Sequence, residues 1–181
     1  MGWRVHYYSY QNRNDLRLGA GFQGAAMDSQ LLNDARGLQA RTVAMRREIH
    51  RHPELGLDLP RTRETVLDAL SGLDLEVSCS EATSGVVATL RGSRPGPTVL
   101  LRGDMDALPM PEDTDLPFAS EESGRMHACG HDAHTAMLAS AAHLLSTRAD
   151  ALAGNVRFMF QPGEEGYGGA KIMLEEGVLE A

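Results

Sequence analysis

From Leu31 onward apolar residues return every three or four positions: Leu31, Ala35, Leu38, Met45 and Ile49, with Thr42 filling the gap. That spacing draws one stripe down a helix, which Asp28 or Ser29 would cap at its start. His52-Pro53 ends it, because the residue before a proline is pushed out of the helical region. A second helix is predicted after Pro60, with Thr62, Val66, Leu67 and Leu70 on its apolar face and a stop at Gly72. Short β-type runs follow at 75–77, 86–90 and 98–101. A third helix, over 132–146, is rich in Ala, Met and Leu. Residues 156–161 then read as a buried strand, and 170–176 as a helix closed by Gly177. Helices and strands interleave, which predicts an α/β layered domain. No internal repeat or low-complexity tract interrupts this order.

Residues 1–26 follow neither period. They hold Trp3, the only tryptophan, and three of the four tyrosines, Tyr7, Tyr8 and Tyr10. They lack the apolar core of a secretory signal. The stretch reads as a disordered extension rather than an anchoring arm, with Met27 opening the folded part, 27–181.

Composition narrows the class. The 181 residues are 42% hydrophobic and 23% charged, which is globular composition. A net charge of −8 lacks the basic footprint of a nucleic-acid binder. No apolar run approaches the roughly 20 residues of a membrane span. Two cysteines, Cys79 and Cys129, make no disulfide framework and suggest a reducing, cytoplasmic setting.

Three polar loops stand where strands end, the position at which open α/β sheets gather ligands. In His127-Ala128-Cys129-Gly130-His131-Asp132-Ala133-His134, a thiol and an imidazole lie two residues apart across a glycine, just before a helix. Thiolate and imidazole suit zinc or another borderline divalent ion. A Cys129 nucleophile activated by histidine, its pKa lowered by the helix N-terminus, is a second reading. The structural alternative is a small buried cysteine beside a helix-capping His-Asp pair. In Gln161-Pro162-Gly163-Glu164-Glu165-Gly166, two adjacent carboxylates need a neutralising cation if they are drawn inward. In a near-extended segment the two would point to opposite sides. One could then bind a metal that lowers the pKa of a water while the other takes its proton.

The loop Arg102-Gly103-Asp104-Met105-Asp106 is the least specific; one of its aspartates could orient a metal ligand from behind. Its Arg-Gly-Asp tripeptide follows an apolar run and reads as a strand end, not an adhesion loop. His50 and His52 sit at a helix C-terminus, where the dipole favours a partly positive imidazole. His143 reads as a packing or surface residue, His127 and His134 as lining the site, and Cys79 as inert.

Four segments together carry a resemblance: RREIHRHPELG (46–56), LLRGDMDALP (100–109), MHACGHDAH (126–134) and FQPGEEGYGGAKIM (160–173). In this order they resemble the hippurate hydrolase, N-acyl-amino-acid and indole-acetyl-amino-acid amidohydrolase branch of the aminoacylase-like binuclear metallopeptidases. The likeness runs from about Leu31 to the C-terminus. It implies a three-layer, aminopeptidase-like α/β catalytic domain with a mixed twisted sheet flanked by helices, and two divalent ions, zinc or manganese. Carried over by motif, Cys129, His131 and Glu165 would be metal ligands, Glu164 the general base, and Asp106 the aspartate that orients the site. Related branches carry a ligand histidine where Asp104 stands, so Asp104 is not carried over as a ligand. The implied reaction is hydrolysis of the amide of an N-acyl amino acid, a small-molecule substrate, with no nucleic-acid or membrane partner.

Family members are much longer, and further ligand histidines are expected downstream of Ala181. The resemblance therefore implies the N-terminal part of a catalytic domain, inactive alone. It would lack the inserted dimerisation domain and the C-terminal strands, so homodimers would belong to the full-length protein. A non-enzymatic metal-binding or interaction fragment is the alternative.

Overall fold

The structure is a computed structural model and describes residues 24–180, with side-chain surroundings from Ser29 onward. The expected extension lies outside the described residues, except that 24–26 open the first helix. That helix, α1 (Gly24–Arg51), starts before the predicted cap. Asp28 and Ser29 lie inside it, because Ala25, Ala26 and Met27 are compatible with continued helix. Only the later half of its apolar stripe meets the core. Ile49 is buried and Met45 packs on the main cluster, whereas Leu31 is 36% exposed. Thr42, the polar gap in the stripe, meets Ser140 at 2.6 Å.

The second helix, α2 (Pro60–Leu70), has proline in its first turn and buries Thr62, Val66 and Leu70. Its start is capped from outside: the Glu54 carboxylate accepts the N–H groups of Arg61 (3.2 Å) and Thr62 (2.8 Å).

Four strands follow: β1 (Glu76–Cys79), β2 (Val86–Arg91), β3 (Arg94–Asp104) and β4 (Ala153–Gln161). They form one sheet in the order β1-β2-β4-β3. The β1–β2 and β2–β4 pairs are antiparallel, while β3 and β4 run parallel. Parallel neighbours need a crossover, and α3 (His131–Ser146) supplies it. On one face Ala88, Leu90, Phe158 and Phe160 pack against Leu59, Val66, Leu138 and Ala142, the last two from α3. The other face holds a smaller cluster of Met159, Met173 and Val178, with Met173 on α4 (Gly169–Glu175). The result is a mixed sheet flanked by helices, as the sequence implied. Among the described residues no helix is long and apolar enough to cross a membrane.

The strands differ from their predicted extents. β1 lies at 76–79 rather than 75–77, and β3 begins at Arg94 rather than Thr98. The added start of β3 is Pro- and Gly-rich and has no apolar period. It becomes strand by pairing with Ala153 across a register shift.

One consequence of this topology matters most. Parallel pairing sets Asp104 of β3 beside Gln161 of β4, so the loops after both strands open at one edge. The first turn of α3 arrives at that edge too. A Cβ on Gly103 would lie 3.0 Å from the His134 carbonyl, so glycine permits the approach.

Candidate metal centre

Asp106 leaves β3 with a carboxylate that is almost wholly buried. It accepts the backbone N–H of Glu164 at 2.9 Å and of Glu165 at 3.0 Å, and so fixes the position of the glutamate pair. Burial pushes its pKa up, but the neighbouring His131 imidazole and these N–H groups outweigh that and hold it below the usual carboxylate range.

The pair itself corrects one expectation. Glu164 and Glu165 stand in a turn, not an extended segment. Gly163 and Gly166 have φ of 65° and 86°, which favours glycine. Both carboxylates therefore converge: Glu164 Oε2 and Glu165 Oε1 each lie 3.9 Å from His131 Nε2.

His131 opens α3 behind Gly130, whose φ is 83°. Its Nδ1 meets the Asp106 carbonyl at 2.7 Å, and a carbonyl only accepts, so Nδ1 carries the proton. The other nitrogen, Nε2, faces the carboxylates, with Asp104 Oδ1 at 3.6 Å. Fixing one ring nitrogen through a backbone carbonyl is how proteins orient a metal-ligating histidine. Burial pulls this imidazole's pKa down, yet Asp106 and Asp104 raise it to about 9. The surroundings thus favour a positive charge at Nε2.

Cys129 brings a second correction. Its thiol is exposed, and its pKa is pushed up to about 11, first by the hydrogen bond with Glu165, then by burial and the charges of Glu165, Glu164 and Asp104. The helix N-terminus does not lower it, because three carboxylates outweigh a partial charge. A free thiolate nucleophile is disfavoured by that field. A divalent cation reverses it, since a coordinated thiol loses its proton. Donor atoms of Cys129, His131 and Glu165 all lie within 4.8 Å of one another, and soft, borderline and hard donors in one set suit a zinc-like ion. The residues fit such an ion.

A second group, Asp104, His131 and His134, is equally close-set. There Asp104 is already engaged, by His134 Nδ1 at 2.7 Å and by Arg102 Nη1 at 2.9 Å. As the last residue of β3, and buried, Asp104 also removes the Arg-Gly-Asp tripeptide from any loop tip.

Of the other histidines, His134 lines the site and His143 pins α3 to α2 through the Ala69 carbonyl at 2.6 Å. His127 is 3% exposed, neither ring nitrogen has a partner among the described residues, and burial lowers its pKa to about 4. His50 corrects the helix-dipole expectation: it is buried between two carboxylates, Asp132 and Glu112. Sequence reasoning missed Glu112 and Glu54 as organising residues. Glu54 lies within the 46–56 segment of the resemblance, whereas no motif in the sequence marked Glu112.

Residues 100–181 match the model of peptidase family M20/M25/M40. Relatives align over more of the chain. Thermostable carboxypeptidase 1 of Saccharolobus solfataricus is 47% identical over 153 residues, covering 83% of this chain and 39% of that protein. Residues 100–181 belong to peptidase family M20/M25/M40. Within it, the N-acyl-L-amino acid amidohydrolase of Geobacillus stearothermophilus is 45% identical over 76% of this chain and 38% of its own length. A crystal structure of a Bacillus subtilis protein, described as a dinuclear metal binding peptidase from the M20 family, superposes with a TM-score of 0.76. It is 44% identical over 80% of this chain and 41% of that one. The chain thus spans about two fifths of the length of these M20 relatives.

Proposed function

We propose that the protein hydrolyses the amide of an N-acyl amino acid, with Cys129, His131 and Glu165 holding a divalent ion and Glu164 acting as general base. The observation that carries this reading is the split of the glutamate pair. Glu165, 23% exposed, joins the donor group with Cys129 and His131, while Glu164 stays outside that group at 42% exposure. When bound, the ion supplies Lewis acidity to the amide carbonyl and to the attacking water. Glu164 takes the proton from that water and delivers it to the leaving amine. Asp106 keeps Glu164 and Glu165 in register through their backbone N–H groups, and its carbonyl holds the His131 ring.

The substrate class is supported by relatives of two descriptions, a carboxypeptidase and an N-acyl-L-amino acid amidohydrolase. Both reactions cleave an amide whose amine half is an amino acid with a free carboxylate. Two ions are in keeping with the relative described as dinuclear; the thiolate and imidazole donors favour zinc, with manganese as the alternative. Two unpaired cysteines fit a cytoplasmic setting.

The test is hydrolysis of N-acetyl and N-benzoyl amino acids, with added Zn²⁺ or Mn²⁺, by a full-length protein carrying these residues. Glu164→Gln is expected to keep metal affinity and to lower turnover by about 10²- to 10⁴-fold. Undiminished turnover overturns the base assignment. Hydrolysis that resists chelators but is abolished by a thiol-alkylating agent transfers the chemistry to Cys129.

A further inference from the structure

The motif at 46–56 takes no part in the proposed chemistry, yet it reaches the metal centre from behind. His50 Nδ1 lies 2.7 Å from Asp132 Oδ2, and Arg46 Nε lies 3.0 Å from the same oxygen. His50 Nε2 faces Glu112 Oε1 at 3.2 Å. Asp132 is wholly buried and directly follows His131 in the first turn of α3. That turn has no cap of its own: Gly130 at the N-cap offers no side chain. The other carboxylate oxygen of Asp132, Oδ1, has no partner among the described residues, so Asp132 itself is held through Oδ2 alone. The same segment grips the Asp106 loop, where Ala107 N donates to the Glu54 carbonyl at 2.8 Å.

We propose that His50 is a positioning residue of the metal centre: through Asp132 it orients the first turn of α3, so that His131 and Cys129 aim their donors at one point. This rests on the metal reading above. A carboxylate oxygen only accepts, so His50 must present an N–H from Nδ1 to hold Asp132. A contact that merely glued α1 to α3 would need only its total packing and hydrogen bonding. A positioning contact needs the donor on the Asp132 side.

Two substitutions separate these roles. The side-chain amide nitrogen of asparagine falls near the place of Nδ1, and that of glutamine near the place of Nε2. His50→Asn therefore keeps a donor for Asp132 and gives up Glu112, whereas His50→Gln does the reverse. The 181-residue chain and both variants are titrated with Co²⁺, following the thiolate-to-cobalt absorption band, with thermal melts alongside. His50→Asn is expected to bind Co²⁺ close to wild type, and His50→Gln about 10-fold more weakly or worse, as for other residues that orient a metal ligand. Equal affinities of the two variants overturn the proposal, as does a His50→Gln protein that melts lower but binds Co²⁺ like wild type. If His50→Gln does not fold, Arg46→Met takes its place, since Arg46 is the half-exposed second donor to Oδ2. Weaker Co²⁺ binding by that variant supports the proposal and unchanged binding overturns it. Wild type without a Co²⁺ band overturns the metal reading itself, and this inference with it.

Discussion

At Cys129 and His131 a metal ion must compete with protons. The imidazole is raised to about 9 and the thiol to about 11, so both are protonated at neutral pH. Binding through both displaces two protons, and affinity for Zn²⁺ should rise about 100-fold per pH unit below pH 9. Calorimetry in buffers of different ionisation enthalpy is expected to count about two protons released per ion at pH 7. Release near one would remove Cys129 from the ligand set, and release near zero would remove His131 as well. Asp106 acts differently, as an acceptor for two backbone donors. Asp106→Asn keeps one acceptor oxygen and turns an N–H toward the other donor, which should cost about 1–3 kcal/mol in a denaturant melt. Cys129, His131 and the glutamate pair were legible as candidates in the sequence, because Cys-Gly-His and Gly-Glu-Glu carry chemistry at short range; Asp106 was singled out only through the resemblance. The direction of the Cys129 shift was not, because the carboxylates that impose it come from loops distant in the chain.

Elements were legible where one face repeats. The buried positions of α2 and the span of α3 follow the apolar period closely, as does the core of β4. What escaped was local structure imposed from afar: the start of β3 is strand because Ala153 pairs with it, and α2 is capped by a residue outside the helix. Glu54 offers its carboxylate to Arg61 N, Thr62 N and the Thr62 hydroxyl, the last at 2.9 Å. A negative charge at that position also meets the positive end of the helix. Glu54→Ala should therefore destabilise the chain by about 1–2 kcal/mol, the usual value of an N-terminal cap. Thermal melts at pH 7 check it. An unchanged midpoint would mean that water replaces the carboxylate without cost.

For the whole molecule, layer class was readable from the alternation of elements, but strand order was not, since the β3–β4 pairing that makes the site joins segments far apart in sequence. The same long-range burial sets how stability responds to pH. Inside the fold His127 titrates near 4, against 6.5 for an ordinary histidine. Between those values the unfolded chain binds a proton that the folded chain refuses, so stability rises with pH up to 6.5 and is lost on acidification toward 4. His131 acts on the other side. Its folded pKa is about 9, so its contribution is complete below 6.5 and fades as pH climbs through 9. The metal-free chain is expected to be most stable near pH 6.5, with limbs of up to a few kcal/mol each, since one pKa unit is worth about 1.4 kcal/mol. The two limbs can be separated. His127→Leu removes two unpartnered buried nitrogens and keeps an apolar side chain of comparable size. It should flatten the acid limb, raising the melting temperature at pH 5 relative to wild type more than at pH 8. Saturating Zn²⁺ should instead act on the alkaline limb, because the ion takes the place of the His131 proton. If His127→Leu shifts both pH values equally, its gain is packing alone, and the acid limb belongs to other groups.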